Sequence, residues 1–207
     1  MCIEKLEEKQ MTSSTIDNAI KYIKSIFKNN TDGHDINHSI RVYKNALNLA
    51  ALYSDCDRQT IALAALLHDV DDHKLFHSKN NANARHFLEM QNLNSSKIEK
   101  ICTIINEVSF SKNRGKTPTS LEGKIVQDAD RLDAIGAIGI ARVFAYGGKM
   151  EKSIEDSVQH FYDKLLLLKN EMNTEEAKKI ATARDEYLRT FLKEFNREIR
   201  ETDVGLT

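Results

Sequence analysis

The chain has 207 residues, enough to bury a sizeable core as one domain. Its 30 basic and 31 acidic residues leave a formal charge of -1, which excludes the broad positive field that nucleic acid or an anionic membrane would need. A single proline, Pro118, and only eight glycines exclude a turn-rich β architecture, while Leu, Ala, Lys, Glu, Ile and Asn in helical spacing predict an all-α fold. Cys2, Cys56 and Cys102 are too few and too scattered for a disulfide framework or a thiolate zinc site. The segment from Met1 to Gln10 is charged and has no apolar signal core, and no run reaches membrane-spanning length. A soluble cytoplasmic protein is the expectation.

In chain order, Ile16, Ile20, Ile23 and Phe27 recur at three- and four-residue intervals behind a Ser/Thr run, predicting a first helix over Ser14 to Phe27 capped within that run. Asn29-Asn30-Thr31-Asp32-Gly33 breaks it. A second helix begins in His34-Asp35-Ile36-Asn37-His38 and carries the stripe Ile40, Tyr43, Leu47 and Ala50, so His38 falls in a first helical turn. Ser54-Asp55-Cys56-Asp57 reads as loop and N-cap, and Ile61 to Leu67 is apolar almost all round, which predicts a central helix. His68-Asp69 follows at its C-terminal end, and Val70-Asp71-Asp72-His73 comes directly after. Neighbouring helical residues diverge by about a hundred degrees, so joint use of His68 and Asp69 suits a helix end.

A modest helix is predicted over Asn80 to Met90, and another starts at Ser95 and runs through Ile101, Ile104, Ile105 and Val108. Ser109 to Ser120, with Lys112, Arg114, Gly115, Lys116 and Pro118, reads as a solvated basic loop, with a substrate lid as the alternative. Leu121 to Ala145 carries an apolar series in which Gly136 and Gly139 would permit close packing. It also carries Asp128, Asp130 and Asp133, the last two sharing a face if the helix is continuous. Tyr146-Gly147-Gly148-Lys149 lacks the spacing of a phosphate loop and reads as a turn. Phe161, Leu165 and Leu168, then Ile180, Tyr187, Leu188, Phe191, Phe195 and Ile199, mark two further amphipathic helices whose stripes serve the core or a homodimer surface. The expected organisation is one helical domain over residues 1–207, with a motif-bearing core over about 14–146 and C-terminal helices over 152–201 packed on it.

Charge gathered beside apolar surface is costly unless compensated, and a metal cation is the simplest compensation. His38 in one helix, His68 and Asp69 at the end of a second, and Asp130 in a third form a candidate ligand set, with Asp133 an alternative to Asp130. Two imidazoles and two carboxylates without a thiolate suit Mn²⁺, Fe²⁺, Co²⁺, Ni²⁺ or Zn²⁺, and Mg²⁺ less well. Four protein ligands on a six-coordinate ion would leave two positions for water and a substrate oxygen.

In this order, His38, the adjacent His68-Asp69 and the distant Asp130 resemble the H, HD and D of the HD-domain phosphohydrolase superfamily. The likeness extends through His34-Asp35, Arg41-Val42, Leu66-Leu67 and Asp128-Ala129-Asp130-Arg131-Leu132-Asp133, across the first three-quarters of the chain. It implies a single-domain helical bundle of the HD type and one divalent metal ion, Mn²⁺ or a similar transition metal, on His38, His68, Asp69 and Asp130. It also implies metal-dependent hydrolysis of phosphate esters or anhydrides, commonly in nucleotides. The flanking residues look closest to small stand-alone bacterial members similar to nucleotide pyrophosphohydrolases. In the mechanism so implied, Asp72 is the first candidate to accept the proton of the attacking water, ahead of His34 and Asp128. Arg41, Lys74, Arg131 and Arg142 are candidate phosphate contacts, each equally able to form an ion pair. Some members hold a second metal with extra histidines, but His73, His77 and His86 read here as polar loop residues, and Glu107 faces either cavity or solvent. Two other functions fit the same residues: metal-dependent oxygen chemistry on a related scaffold, and a regulatory module that binds nucleotide without turnover.

Overall fold

A computed structural model describes residues 2–28, 35–72, 75–76, 78–109 and 113–201, with side chains of that set from residue 13 to residue 199. Every regular element among the described residues is helical. The order is α1 (Cys2–Ile26), α2 (Ile36–Ala50), α3 (Arg58–Leu67), α4 (Ala82–Met90), α5 (Ser95–Val108), α6 (Leu121–Asp133), α7 (Gly136–Lys149), α8 (Ile154–Asp163), a 3-10 segment (Leu165–Glu171) and α9 (Glu175–Glu201). The all-α class follows from the composition as expected. No described helix is long and apolar enough to cross a membrane. Packing forms two compact units, Met1–Asp130 and Arg131–Thr207, with α6 carrying the boundary between its residues 130 and 131.

In the first unit α3 is the centre. Every residue from Thr60 to Leu67 is buried, and the helix packs on α1, α2 and α5. A helix apolar all round has no face to offer water, and each large aliphatic side chain it buries contributes about 1.5–3 kcal/mol. Its start is fixed by Asp57, whose carboxylate accepts from the Thr60 backbone N–H at 3.0 Å and from the Thr60 hydroxyl at 2.7 Å. The Asp57 N–H in turn donates to Glu122 of α6 at 3.2 Å, and Lys100 of α5 donates to the same carboxylate oxygen at 2.8 Å. A second tie joins α6 to α5, where the Gln127 side-chain amide donates to the Glu107 carbonyl at 2.8 Å.

Two boundaries in this unit differ from expectation. α1 runs straight through the Ser/Thr run in which a cap was expected, because propensity is a weak local preference that a favourable helical context overrides. α4 starts at Ala82, since Asn80 and Asn81 both have φ of +55, a left-handed conformation that Asn tolerates better than most residues.

The apolar segment from Leu121 to Ala145 holds two helices with a break between them. α6 ends at Asp133 and α7 starts at Gly136, which has φ of +76. The bare Cα also admits Arg184, whose side-chain carbons would lie 3.1–3.3 Å from a Cβ at this position, and Arg184 donates to the Leu132 carbonyl there. α7 then continues through Tyr146-Gly147-Gly148-Lys149, so this stretch is helix and not the expected turn. Gly147 serves packing: a Cβ would sit 2.1 Å from the Ser157 hydroxyl of α8. Phe144, Phe161, Phe191 and Phe195 pack ring on ring with centroids 5.8–6.3 Å apart, joining α7, α8 and α9. Phe191 and Phe195, half-buried, are thereby packed within the second unit, whereas Tyr187 and Ile199 stay exposed.

Candidate metal centre

Three helices of the first unit deliver the four candidate ligands. His38 lies in the first turn of α2, where the N-cap Asp35 accepts from the His38 N–H at 2.8 Å. His68 is the C-cap of α3 and Asp69 the next residue, in a turn held by Val70 N–H to Leu67 carbonyl at 3.2 Å and Asp72 N–H to Asp69 carbonyl at 3.1 Å. His68 keeps right-handed helical backbone angles, φ of -60 and ψ of -28, and the chain tightens after it through an i to i+3 bond. Asp130 projects from the last turns of α6.

The imidazole Nε2 atoms of His38 and His68 lie 3.2 Å apart. Asp69 Oδ2 is 3.4 Å from the first and 3.3 Å from the second, and Asp130 Oδ1 is 3.4 Å and 3.8 Å from the same two atoms. His68 Nδ1 lies 2.9 Å from the Ala65 carbonyl. A carbonyl only accepts, so Nδ1 carries the hydrogen and Nε2 presents a lone pair to the cluster. Divalent ions bind such donors at about 2.1 Å, which puts neighbouring ligand atoms about 3.0–3.4 Å apart in octahedral or tetrahedral arrangements. Four of the five separations fit this range, and the fifth, Asp130 Oδ1 to His68 Nε2 at 3.8 Å, is wider. The His68 lone pair and two carboxylates crowded together repel one another, and a cation converts that repulsion into attraction.

Burial pushes the Asp130 carboxyl up, but the hydrogen bond with His38 and the imidazoles of His68 and His38 outweigh it, and the group sits below the usual aspartate range. Side-chain exposure rises from 1% at His38 and 4% at His68 to 11% at Asp69 and 23% at Asp130. The cluster is therefore closed behind the imidazoles and open on its carboxylate side.

The other sequence candidates are distributed more widely. Asp133 pairs with Arg142 at 2.8 Å, so of the two carboxylates three residues apart, Asp130 meets the imidazoles and Asp133 meets an arginine. Arg131 is buried, donates to the Glu171 carbonyl and pairs with the Glu171 carboxylate at 3.2 Å. Asp128 is fully buried on α6. Asp72 is half-buried in the turn after Asp69, and Arg41 is half-buried on α2 one turn beyond His38. His86 is exposed on α4. Glu107 accepts from the Thr119 N–H and hydroxyl at 3.4 and 3.1 Å and so holds the end of the loop after α5. His34, Lys74, His73 and His77 lie outside the described residues. Sequence reasoning missed two contributors. The Ala65 carbonyl could have been read from its place three residues before a helix-ending histidine. Asp71, which the pattern does not separate from Asp72, accepts from the Asn83 and Ala84 N–H groups, each at 3.0 Å.

A helical scaffold that converges two imidazoles and two carboxylates, open on one side, defines the class as an all-α protein with a metal-type donor cluster. The HD-domain family model matches residues 35–135, which span all four of these residues. The chain belongs to the HD-domain superfamily of metal-dependent hydrolases. It is 34% identical over 195 residues to the uncharacterized protein YpgQ of Bacillus subtilis, covering 88% of this chain and 93% of that one. The crystal structure of YpgQ in complex with ADP matches with a TM-score of 0.79 at 30% identity, over 91% of this chain and 96% of that chain. An HD-superfamily hydrolase from Bacillus thuringiensis matches with a TM-score of 0.73 at 38% identity, over 91% and 98% of the two chains.

Proposed function

We propose that this chain is a divalent-metal-dependent phosphohydrolase acting on a nucleotide, at a phosphomonoester or at the pyrophosphate bond of a nucleoside triphosphate. The observation that carries the reading is the convergence of His38, His68, Asp69 and Asp130, with its open carboxylate side. The ADP complex of a relative 30% identical supports a nucleotide as the ligand. A divalent ion of the Mn²⁺ kind on these four residues supplies Lewis acidity toward a phosphoryl oxygen and toward water.

The chain's own residues supply position and charge. The Ala65 carbonyl keeps His68 in the tautomer whose Nε2 is a donor atom. Asp72, in the same turn as Asp69, accepts the proton of the attacking water; it is more accessible to water than the fully buried Asp128, and His34 is the other alternative. Arg41 and Lys74 offset charge on the phosphoryl group. Arg131 and Arg142 join them only by leaving Glu171 and Asp133. A cytoplasmic location, and a homodimer through the face that exposes Tyr187 and Ile199, belong to the same proposal.

The test is a nucleotide panel incubated with chelator-stripped protein and read by mass. Phosphate or pyrophosphate should appear only after Mn²⁺, Co²⁺ or Mg²⁺ is restored, and His68→Ala and Asp69→Ala should be inactive. Normal turnover by either variant overturns the assignment. Tight nucleotide binding without turnover under every metal would instead identify a regulatory module.

A further inference from the structure

The turn that carries His68 and Asp69 is anchored at both ends. Its entry continues α3 through the Val70 N–H to Leu67 carbonyl bond. Its exit is tied to α4 by side chains. α4 lacks a cap of its own, because Asn81 at the N-cap position is left-handed and makes no side-chain capping bond; its amide donates instead to the Cys102 carbonyl at 3.2 Å. Asp71 supplies the missing acceptor from outside the helix, with one carboxylate oxygen 3.0 Å from the Asn83 N–H and the other 3.0 Å from the Ala84 N–H.

The tie runs in both directions. The Asn83 side-chain amide donates to the Val70 carbonyl at 2.7 Å, so adjacent residues of the turn are held by the first turn of α4, one through its carboxylate and one through its backbone. α4 is itself fixed to α1, since the Tyr22 hydroxyl donates to the Asn83 carbonyl at 2.9 Å and the Tyr22 ring stacks on Phe87 at 4.8 Å. A carboxylate at a helix N-terminus also meets the positive end of the helix dipole. Asp69 is two residues from Asp71 and one from Val70, too short a tether to absorb slack.

From this geometry we infer that Asp71 and Asn83 are positioning residues for the metal centre: they hold the His68-Asp69 turn in register with His38 and Asp130 by locking its exit onto α4. This rests on the metal reading of the cluster, and not on the identity of the substrate. Outer residues that orient metal ligands are worth about 10–100-fold in metal affinity. A residue that merely caps a helix would affect stability alone.

The experiment is titration of chelator-stripped protein with Mn²⁺, read as free ion by electron paramagnetic resonance and as heat by calorimetry, with a melting curve for each metal-free variant. Asp71→Asn should weaken Mn²⁺ binding by about tenfold or more. Asn83→Ala removes the Val70 tie but keeps the backbone N–H that Asp71 caps, and should weaken binding in the same direction; it carries the test if Asp71→Asn does not fold. Asn94→Ala is the control. It deletes the cap of α5, where the Asn94 side chain accepts from the Lys97 N–H at 2.9 Å, and should lower the melting temperature while leaving Mn²⁺ affinity at the wild-type value. Wild-type affinity in folded Asp71→Asn or in Asn83→Ala, with melting lowered as in the control, overturns the proposal and leaves Asp71 a helix cap. Absence of Mn²⁺ binding by the wild type overturns the metal reading and this inference with it, a result distinct from the former.

Discussion

Asp130→Asn separates an ion-binding cluster from a set of polar residues that happen to meet. Asp130 Oδ1 lies 3.4 and 3.8 Å from the two Nε2 atoms, and its side chain is the most open of the four. The replacement keeps the shape, an oxygen acceptor and the helix, but removes the charge and the better donor. An ion at 100 times its dissociation constant stabilises the folded chain by about 2.7 kcal/mol. For a chain of this size each kcal/mol raises the melting temperature by about 2–4 °C, so saturating Mn²⁺ should raise the wild-type value by about 5–11 °C over that in chelator. If the substitution weakens binding about 100-fold, the same ion concentration equals the dissociation constant, and the stabilisation falls to about 0.4 kcal/mol, or a rise of about 1–2 °C. Scanning calorimetry of both proteins with EDTA and with Mn²⁺ measures the two differences. A variant that gains as much from Mn²⁺ as the wild type removes Asp130 from the ligand set. A wild type that gains nothing refutes the reasoning from donor geometry as a whole.

Two further predictions concern the fold. Gly136→Ala forces a side chain into a left-handed conformation, which costs about 1–2 kcal/mol, and brings a Cβ within 3.1 Å of Arg184; urea unfolding should show a loss of at least this size. Gly115→Ala has a similar φ of +70 but no atom within 4 Å, so it should lose less, and equal losses would show that the Arg184 approach does not matter. At Asp57, burial pushes the carboxyl up, but hydrogen bonds from the Thr60 N–H and hydroxyl and the Lys97 charge outweigh it and hold it below its ordinary 3.8. A group lowered in the folded state contributes stability above its unfolded value and loses it as the pH falls through the folded value. The wild type should therefore lose stability below about pH 4 more steeply than Asp57→Asn, as urea midpoints across that range would record; parallel curves would refute the assignment.

The class of the fold was legible because helical periodicity and the near absence of proline are local properties. So was the central place of α3, since a segment apolar all round must be buried, and the helix end at His68, since polar residues follow Leu67 at once. The ordered His38, His68-Asp69 and Asp130 marked a candidate cluster, and the family membership rests on the same stretch. Other features depended on partners distant in sequence. Tyr146-Gly147-Gly148-Lys149 looks like a turn until Ser157 packs on Gly147, and the break at Gly136 is understood only with Arg184 beside it. Asp133 and Asp130 are the same residue type on one helix, and only the positions of Arg142 and the two imidazoles tell them apart. Asp71 and Asp72 are adjacent and chemically identical, yet α4 takes one of them as its cap. Composition and spacing determined which residue types were available at which helix ends. Tertiary structure decided which of them meet, because hydrogen bonds and ion pairs are selected by distances of a few ångströms between atoms that the chain order does not bring together.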